Sequence, residues 1–265
     1  MNGYQEKITR IRAHLALEGA AGAVLSTPDN IFYATGFSSV MDGWHLVEPI
    51  AAVFVPTDSA SPVVLILPEA SVISPIVSER GGHPVHFDRL ATFDMLNFCE
   101  TARAEDAHLA LPDDLLAELG DVMEQVEGEC EPDIIQTIAA CVSRHISKAE
   151  RVVFDDLRVA ARVEALTGQA SGDALDVMFA ARAVKTADEL DTLRESGQIA
   201  DAIMAYTVSL LGVGKSWSEV EKQVAHFMID HDVDPLTGSP MLFGGADDVG
   251  SRQALYTWPV SPSSE

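Results

Sequence analysis

The sequence is poor in cysteine and in positive charge. It has three cysteines, Cys99, Cys130 and Cys141, and 17 Lys and Arg against 41 Asp and Glu. An odd number of thiols, at spacings that match no metal knuckle, favours buried or incidental thiols over a disulfide framework or a zinc site. The formal net charge of -24 repels a phosphate backbone and an anionic membrane surface. We therefore predict that neither nucleic acid nor a membrane is a partner.

Long apolar runs and the signatures of several enzyme classes are also missing. No apolar run reaches the roughly 20 residues that span a bilayer, and the first residues lack the apolar core of a signal peptide, so we predict a cytoplasmic protein. The nucleophile elbow, the Walker loop and the dinucleotide fingerprint do not occur. With 47% hydrophobic and 22% charged residues, the chain has the composition of a globular protein with a substantial core.

Hydrophobic periodicity predicts alternating helices and strands. Apolar residues at helical spacing before Gly19 predict a helix, and residues 22–25 predict a short buried strand. Two β-rich runs, 49–55 and 62–67, are joined by a polar loop and predict a hairpin. We further predict helices at 69–80, 113–126, 133–146 and 159–166, and strands at 83–87 and 151–154.

Two capping boxes mark helix starts in the last third of the chain. Thr186 is followed three residues later by Glu189, and Ser216 by Glu219. In such a box the hydroxyl accepts a bond from the third helical amide, while the glutamate accepts one from the amide of the capping residue. Each box opens an apolar-periodic run, so we predict two consecutive amphipathic helices.

A group of histidines and carboxylates near residue 230 has the side chains of a metal site. His226 and His231 alternate here with Asp230, Asp232 and Asp234, and imidazole and carboxylate suit a divalent ion. However, a spacing of five places the two histidines on different helix faces. The simpler interpretation is a solvated helix end.

Two segments resemble the creatinase/prolidase/aminopeptidase P family. The first is Asn30-Ile-Phe-Tyr-Ala-Thr-Gly-Phe37, a distinctive turn after a helix and a buried strand; the second runs from Arg182-Ala-Val-Lys-Thr to Arg194, and the two lie in the family's order. The resemblance implies an α/β fold. A creatinase-type N-terminal domain, with a mixed sheet and flanking helices, is expected at 1–172. The beginning of an incomplete α+β pita-bread domain is expected at 173–265.

The resemblance also implies a metal-dependent hydrolase of C–N bonds, of the Xaa-Pro peptidase or creatinase type. Family enzymes hold a divalent metal pair, Mn, Co or Zn, with ligands from a region that would follow Glu265. We therefore expect this chain alone to be inactive, and assign it no catalytic and no metal-binding residue. The stretch 241–260 has no histidine where the family has one near the substrate. Either the alignment slips there, or Tyr256 or Thr257 replaces it and peptidase activity is in doubt.

One loop of the chain is a candidate substrate-binding element. In the family the loop after the Tyr-x-Thr-Gly turn reaches over the active site of a neighbouring subunit, so the resemblance implies a homodimer and points to Trp44 and His45. The alternative is that Trp44 packs over the next strand and His45 faces water. The expected substrate of a full-length relative is a small peptide or a small amide or guanidino compound. A different class of function, a non-catalytic binding or dimerisation module built on the same domain, stays open.

Overall fold

The computed structural model describes residues 3–39, 48–95, 112–211 and 216–233. Its contacts divide the chain into two compact units, Met1–Thr186 and Ala187–Glu265. The strands of the described residues are β1 Gly22–Leu25, β2 Ala52–Pro56, β3 Val64–Pro68, β4 Arg89–Phe93, β5 Val152–Phe154 and β6 Ser171–Asp173. The helices are α1 Gly3–Leu17, α2 Pro28–Thr35, α3 Ser74–Arg80, α4 Asp113–Met123, α5 Ile134–His145, α6 Leu157–Thr167, α7 Leu175–Ala183, α8 Ala187–Leu210 and α9 Trp217–Ile229.

The first unit is built on a mixed six-stranded sheet with the order β4-β3-β2-β1-β5-β6. Strands β1, β2 and β3 pair antiparallel, whereas β3 with β4, β1 with β5 and β5 with β6 pair parallel. The parallel pairs require crossovers, which the intervening helices provide. One of these pairs, β1 with β5, brings together strands that lie about 130 residues apart in the sequence.

Helices cover both faces of this sheet. Along β2, Val53 and Val55 belong to one core cluster and Ala52 and Phe54 to the other, as the two-residue period of a strand requires. The first cluster takes its helical residues from α1, α2 and α7 and the second from α5 and α6. The mixed sheet with flanking helices confirms the predicted fold class.

Most locally encoded elements were predicted. Helix α1, strand β1 and the antiparallel β2–β3 pair follow the predicted pattern, as do β5 and α6. Helix α5 begins after Asp133, whose Oδ1 accepts a bond of 2.9 Å from the amide of Gln136. Such a cap satisfies an amide that the helix itself leaves without a partner.

Two local predictions were wrong. The strand predicted at 83–87 lies instead at Arg89–Phe93, where four of the five residues are buried and pair with β3. Residues 83–87 are exposed or half-buried, and the amide of His86 donates to the carbonyl of Thr35 (2.8 Å) in place of a strand partner. The segment predicted as a turn at 30–37 is mostly helix, because α2 extends to Thr35.

The second unit contains the two predicted helices, α8 and α9. Ser216 caps α9 in a complete capping box with Glu219, which confirms that prediction. Helix α8 begins directly after Thr186, but the reciprocal bonds of its box stay a prediction. The buried core of the unit consists of Leu210, Val220, Val224 and Met228. None of the described helices combines the length and the apolar composition that a bilayer crossing requires.

Candidate functional site

The family-like segment 30–37 forms helix α2 and its C-terminal cap. The helix ends at Gly36, which has a left-handed φ of 76° and donates its amide to the carbonyl of Phe32 at 2.7 Å. A Cβ on Gly36 would lie 2.7 Å from the carbonyl oxygen of Pro84, so both the backbone conformation and the space require glycine. The Thr35 hydroxyl donates to the carbonyl of Ile31 (2.8 Å) and accepts from the amide of Phe37 (3.0 Å).

A carboxylate from a distant strand holds the start of this helix. Asp155 follows β5 directly, at the same sheet edge at which the parallel strand β1 ends. Its Oδ1 accepts from the amide (2.8 Å) and the hydroxyl (3.1 Å) of Ser26. Its Oδ2 accepts from the amide (3.1 Å) and the hydroxyl (2.6 Å) of Thr27 and from Nδ2 of Asn30 (3.0 Å). The carboxylate thus lies where the helix dipole and the first free amides favour a negative charge.

The second family-like segment meets the first at the same place. Nη1 of Arg182 donates to Oδ1 of Asn30 at 2.9 Å, so Asn30 bridges Asp155 and Arg182. The Tyr33 hydroxyl donates to the carbonyl of Ala181 at 2.8 Å, and the Arg182 guanidinium lies 5.9 Å from the centre of the Tyr33 ring. Two motifs about 150 residues apart in the sequence therefore form one interaction network.

We call Asn30, Tyr33, Asp155 and Arg182 the motif junction. Five donors already occupy the two oxygens of Asp155, so this carboxylate has little capacity left to bind a metal. Asp155 therefore serves to position the groups that it binds. The junction fixes the helix that precedes the predicted substrate loop, and it fixes the end of α7, which lies four residues before the start of the second unit.

Trp44 and His45, the predicted substrate-binding residues, lie outside the described residues. The structure describes both ends of their loop. Phe37 is buried on the N-terminal side, and Glu48 forms an ion pair with Arg162 of α6 on the C-terminal side. The substrate role of the loop therefore stays a prediction.

The histidines near residue 230 are not gathered into a metal site within the described residues. The His231 ring lies 4.1 Å from the Phe227 ring, centre to centre, and its Nδ1 is 2.9 Å from the Phe227 carbonyl oxygen. The described residues place no third ligand beside His226 and His231. Asp234, together with the stretch 241–260, lies outside the described residues.

The sequence analysis missed Asp155 as a site residue. A signal was present, because Asp155 follows a predicted buried strand and polar side chains at the carboxyl end of a parallel strand face the sheet edge where ligands and helix starts gather. Its partners were not predictable from that strand. Only the pairing of β5 with β1 places Asp155 beside Ser26 and Thr27.

The fold is similar to that of prolidases. A prolidase from Thermococcus sibiricus aligns with 94% of this chain and 52% of its own, with a TM-score of 0.55 and 16% identity. The dipeptidase PepE from Mycobacterium ulcerans aligns with 86% of this chain and 49% of its own (TM-score 0.53, 18% identity). An Xaa-Pro dipeptidase from Bacillus anthracis gives the same coverages, with a TM-score of 0.53 and 16% identity.

These likenesses concern the fold alone, and the chain spans about half the length of these neighbours. No protein-family model and no curated protein matches the chain. The structural neighbours are nevertheless the prolidases and Xaa-Pro dipeptidases that the two sequence segments predicted. The recognition made from the sequence is therefore confirmed at the level of the fold.

Proposed function

We propose that this chain is the N-terminal part of a metal-dependent C–N hydrolase of the Xaa-Pro peptidase or creatinase type. The observation that carries the proposal is a structural likeness to a prolidase over 94% of the chain, which includes residues on both sides of Thr186. The motif junction supports it, because Asn30 and Tyr33 of the first family-like segment contact Arg182 of the second. In this proposal, residues 1–172 are the creatinase-like domain and 173–265 begin the pita-bread domain.

The chain by itself has no hydrolase activity in this proposal. A divalent pair needs a carboxylate-rich set of ligands around two ions. Within the described residues, the group that brings three ligand side chains together is Glu127, Cys141 and His145, which has one carboxylate and one thiol. This donor set does not fit the metal pair, and we assign no step of the reaction to it.

The surface of helix α8 supports the idea that further structure normally packs here. Large apolar residues form a stripe at helical spacing along it and are 40–64% exposed. They are Leu190, Leu193, Met204 and Val208. In the proposed function, the remaining strands and helices of a catalytic domain cover this stripe.

The finer parts of the proposal follow from the resemblance. The substrate is a small peptide or a small amide or guanidino compound, the metal pair is Mn, Co or Zn, and the protein is a cytoplasmic homodimer. Trp44 and His45 lie on the substrate side of a partner's active site in the full-length protein.

A second candidate function is a non-catalytic binding or dimerisation module. One observation favours it: the hydrogen bonds of the motif junction all join residues of the first compact unit, Met1–Thr186. The same fold can occur in proteins that lack the activity for which the fold is known.

Activity and coding sequence together test the proposal. We expect the purified 265-residue chain, supplied with Mn, Co or Zn, to hydrolyse neither an Xaa-Pro dipeptide nor creatine. We also expect an open reading frame downstream of the Glu265 codon that encodes a Gly-Asp…Asp pattern. The protein extended by that frame should cleave an Xaa-Pro dipeptide or creatine in a chelator-sensitive manner.

Two outcomes would overturn the proposal. Chelator-sensitive turnover by the 265-residue chain would show that its own residues complete an active site. A stop codon directly after Glu265 would favour the binding or dimerisation module.

A further inference from the structure

Three side chains with metal-binding atoms converge on the sheet face that carries α5. Cys141 and His145 are one helical turn apart on α5, so their side chains lie on the same face of the helix. Glu127 reaches them from the segment between α4 and α5. Its Oε1 lies 2.8 Å from Nε2 of His145 and 3.9 Å from Sγ of Cys141. One ligand atom from each of the three residues lies within 4.8 Å of the others. We call these residues the 127–141–145 cluster.

The backbone fixes the position of Glu127. Its amide donates to the carbonyl of Leu90 at 2.7 Å, and the amide of Leu90 donates to the carbonyl of Gln125 at 3.0 Å. This segment therefore runs parallel to β4, with a bridge between Leu90 and Val126. Val126 packs against the core on one face of the sheet. Because successive side chains of an extended segment alternate, Glu127 faces the α5 side.

The cluster is shielded from water. Cys141 is 1% exposed, and the side chains of Glu127 and His145 are 13% and 14% exposed. The His145 ring stacks on Phe54 with 6.0 Å between the ring centres. Burial, and then the negative charge of Glu127, raise the pKa of the Cys141 thiol well above its usual range.

Two of the three separations between the ligand atoms are close to those that a tetrahedral zinc site needs. With Zn–N and Zn–O near 2.0 Å and Zn–S near 2.3 Å, the ligand atoms of such a site lie about 3.3 Å (N to O) and about 3.5 Å (S to O) apart. The corresponding separations here are 2.8 Å and 3.9 Å. Changes of about half an ångström, within the reach of side-chain rotation, would bring them into range.

We propose that Glu127 Oε1, Cys141 Sγ and His145 Nε2 bind one Zn²⁺ ion, with water as the fourth ligand. Thiolate and imidazole are the ligands that zinc prefers, and a carboxylate is an accepted third. On binding, Cys141 releases its proton to solvent, and His145 coordinates through an unprotonated Nε2 with its proton on Nδ1. Two negative ligands then neutralise the ion in its buried position. This site is separate from the metal pair of the proposed function and does not depend on it.

Substitution of Arg144 distinguishes a zinc site from a simple ion-pair network by the direction in which zinc affinity changes. Its Nη1 lies 3.1 Å from Oε1 of Glu127, the same oxygen that would bind zinc. A guanidinium at this position competes for the oxygen and repels the ion. If the cluster binds zinc, Arg144→Gln should strengthen binding; if Glu127, Arg144 and His145 form only an ion-pair network, the substitution should not affect metal affinity.

The experiment measures zinc and cobalt binding by the whole chain. Chelator-treated protein is titrated with Zn²⁺ against a chromogenic competitor, and with Co²⁺, whose thiolate-to-metal absorption band reports a cysteine ligand. We expect one Zn²⁺ per chain and a thiolate band. Cys141→Ser, which keeps the shape of the side chain, should abolish the band and weaken zinc binding by more than about 100-fold, since even losses outside the ligand shell cost 10–100-fold.

The chain contains its own control for this experiment. Cys130 is an exposed cysteine outside the cluster, and Cys99→Ser/Cys130→Ser removes both other thiols. This double variant should keep the band and the affinity of the wild type. Circular dichroism verifies that each variant is folded, and Glu127→Gln provides a second ligand variant if Cys141→Ser is not.

Three results would overturn the proposal. The first is that the folded wild-type chain binds no zinc. The second is that zinc binding survives both Cys141→Ser and Glu127→Gln. The third is that Cys99→Ser/Cys130→Ser loses the cobalt band. The last would locate the thiolate at a different cysteine.

Discussion

The two units of the chain differ in how completely each covers its apolar surface. In the first, helices pack on both faces of the sheet, and two core clusters fill the space between them. In the second, the described core is limited to four buried apolar residues, and the stripe on α8 is exposed. A likeness in fold over most of the chain therefore does not mean that each unit covers its apolar surface to the same extent. The helices of the first unit cover both faces of its sheet, whereas α8 in the second unit leaves apolar side chains exposed, and exposed apolar patches are typical of interaction surfaces.

The largest effect is expected at the motif junction, which ties distant parts of the first unit together. Asp155→Ala removes the acceptor of five hydrogen bonds and leaves the amides of Ser26 and Thr27 without it. Because unsatisfied donors and lost bonds to a charged group each cost 1–3 kcal/mol, we expect a loss of about 3–5 kcal/mol in the free energy of unfolding. Denaturant unfolding of wild type and Asp155→Ala, followed by circular dichroism, measures this loss.

The neighbouring residue provides the matched control for Asp155. Asp156 caps α6, because its Oδ1 accepts a hydrogen bond of 2.8 Å from the amide of Arg158, so Asp156→Ala should cost only about 1 kcal/mol. Equal losses of unfolding free energy in the two variants would mean that Asp155 contributes no more than an ordinary helix cap. The contrast between the two units would then be weaker.

A smaller effect is expected where the two family-like segments touch. Tyr33→Phe removes the hydroxyl that donates to the Ala181 carbonyl and keeps the ring in place. We expect a loss of about 1 kcal/mol, the usual contribution of a buried hydrogen bond. Tyr206→Phe in the second unit is the control, since that hydroxyl has no hydrogen bond within the part of the chain that the structure describes. A similar loss in both variants would remove the special role of Tyr33.

The smallest effect on stability, but the clearest on association, is expected on α8. Leu193 is 54% exposed within the stripe, so Leu193→Lys should change the free energy of unfolding by less than about 0.5 kcal/mol. We expect the wild-type chain to self-associate through this stripe, and Leu193→Lys to reduce that association in sedimentation velocity. Gln198→Lys adds the same charge to an exposed position off the stripe. A wild-type chain that stays monomeric at high concentration would contradict the prediction.

Within the site, the sequence located both family-like segments but not the contact between them. Asn30 and Arg182 were visible as members of two motifs, and their bond depends on where α2 and α7 pack. Asp155 was invisible as a partner because it lies outside both motifs. The 127–141–145 cluster was hidden for a similar reason: the spacing of Cys141 and His145 suits one helix face, but Glu127 joins them only through the bridge to β4.

The sequence by itself determined the elements whose signals are local. The apolar period of α1, the β2–β3 hairpin and the capping box of α9 each depend on residues within one short segment, so the pattern sufficed. Only the tertiary structure decided the position of β4, the pairing of β1 with β5, and the meeting of Asp155 with α2. These features depend on contacts between residues far apart in the sequence. Their energies come from burial and from hydrogen bonds that exist only once the sheet has formed.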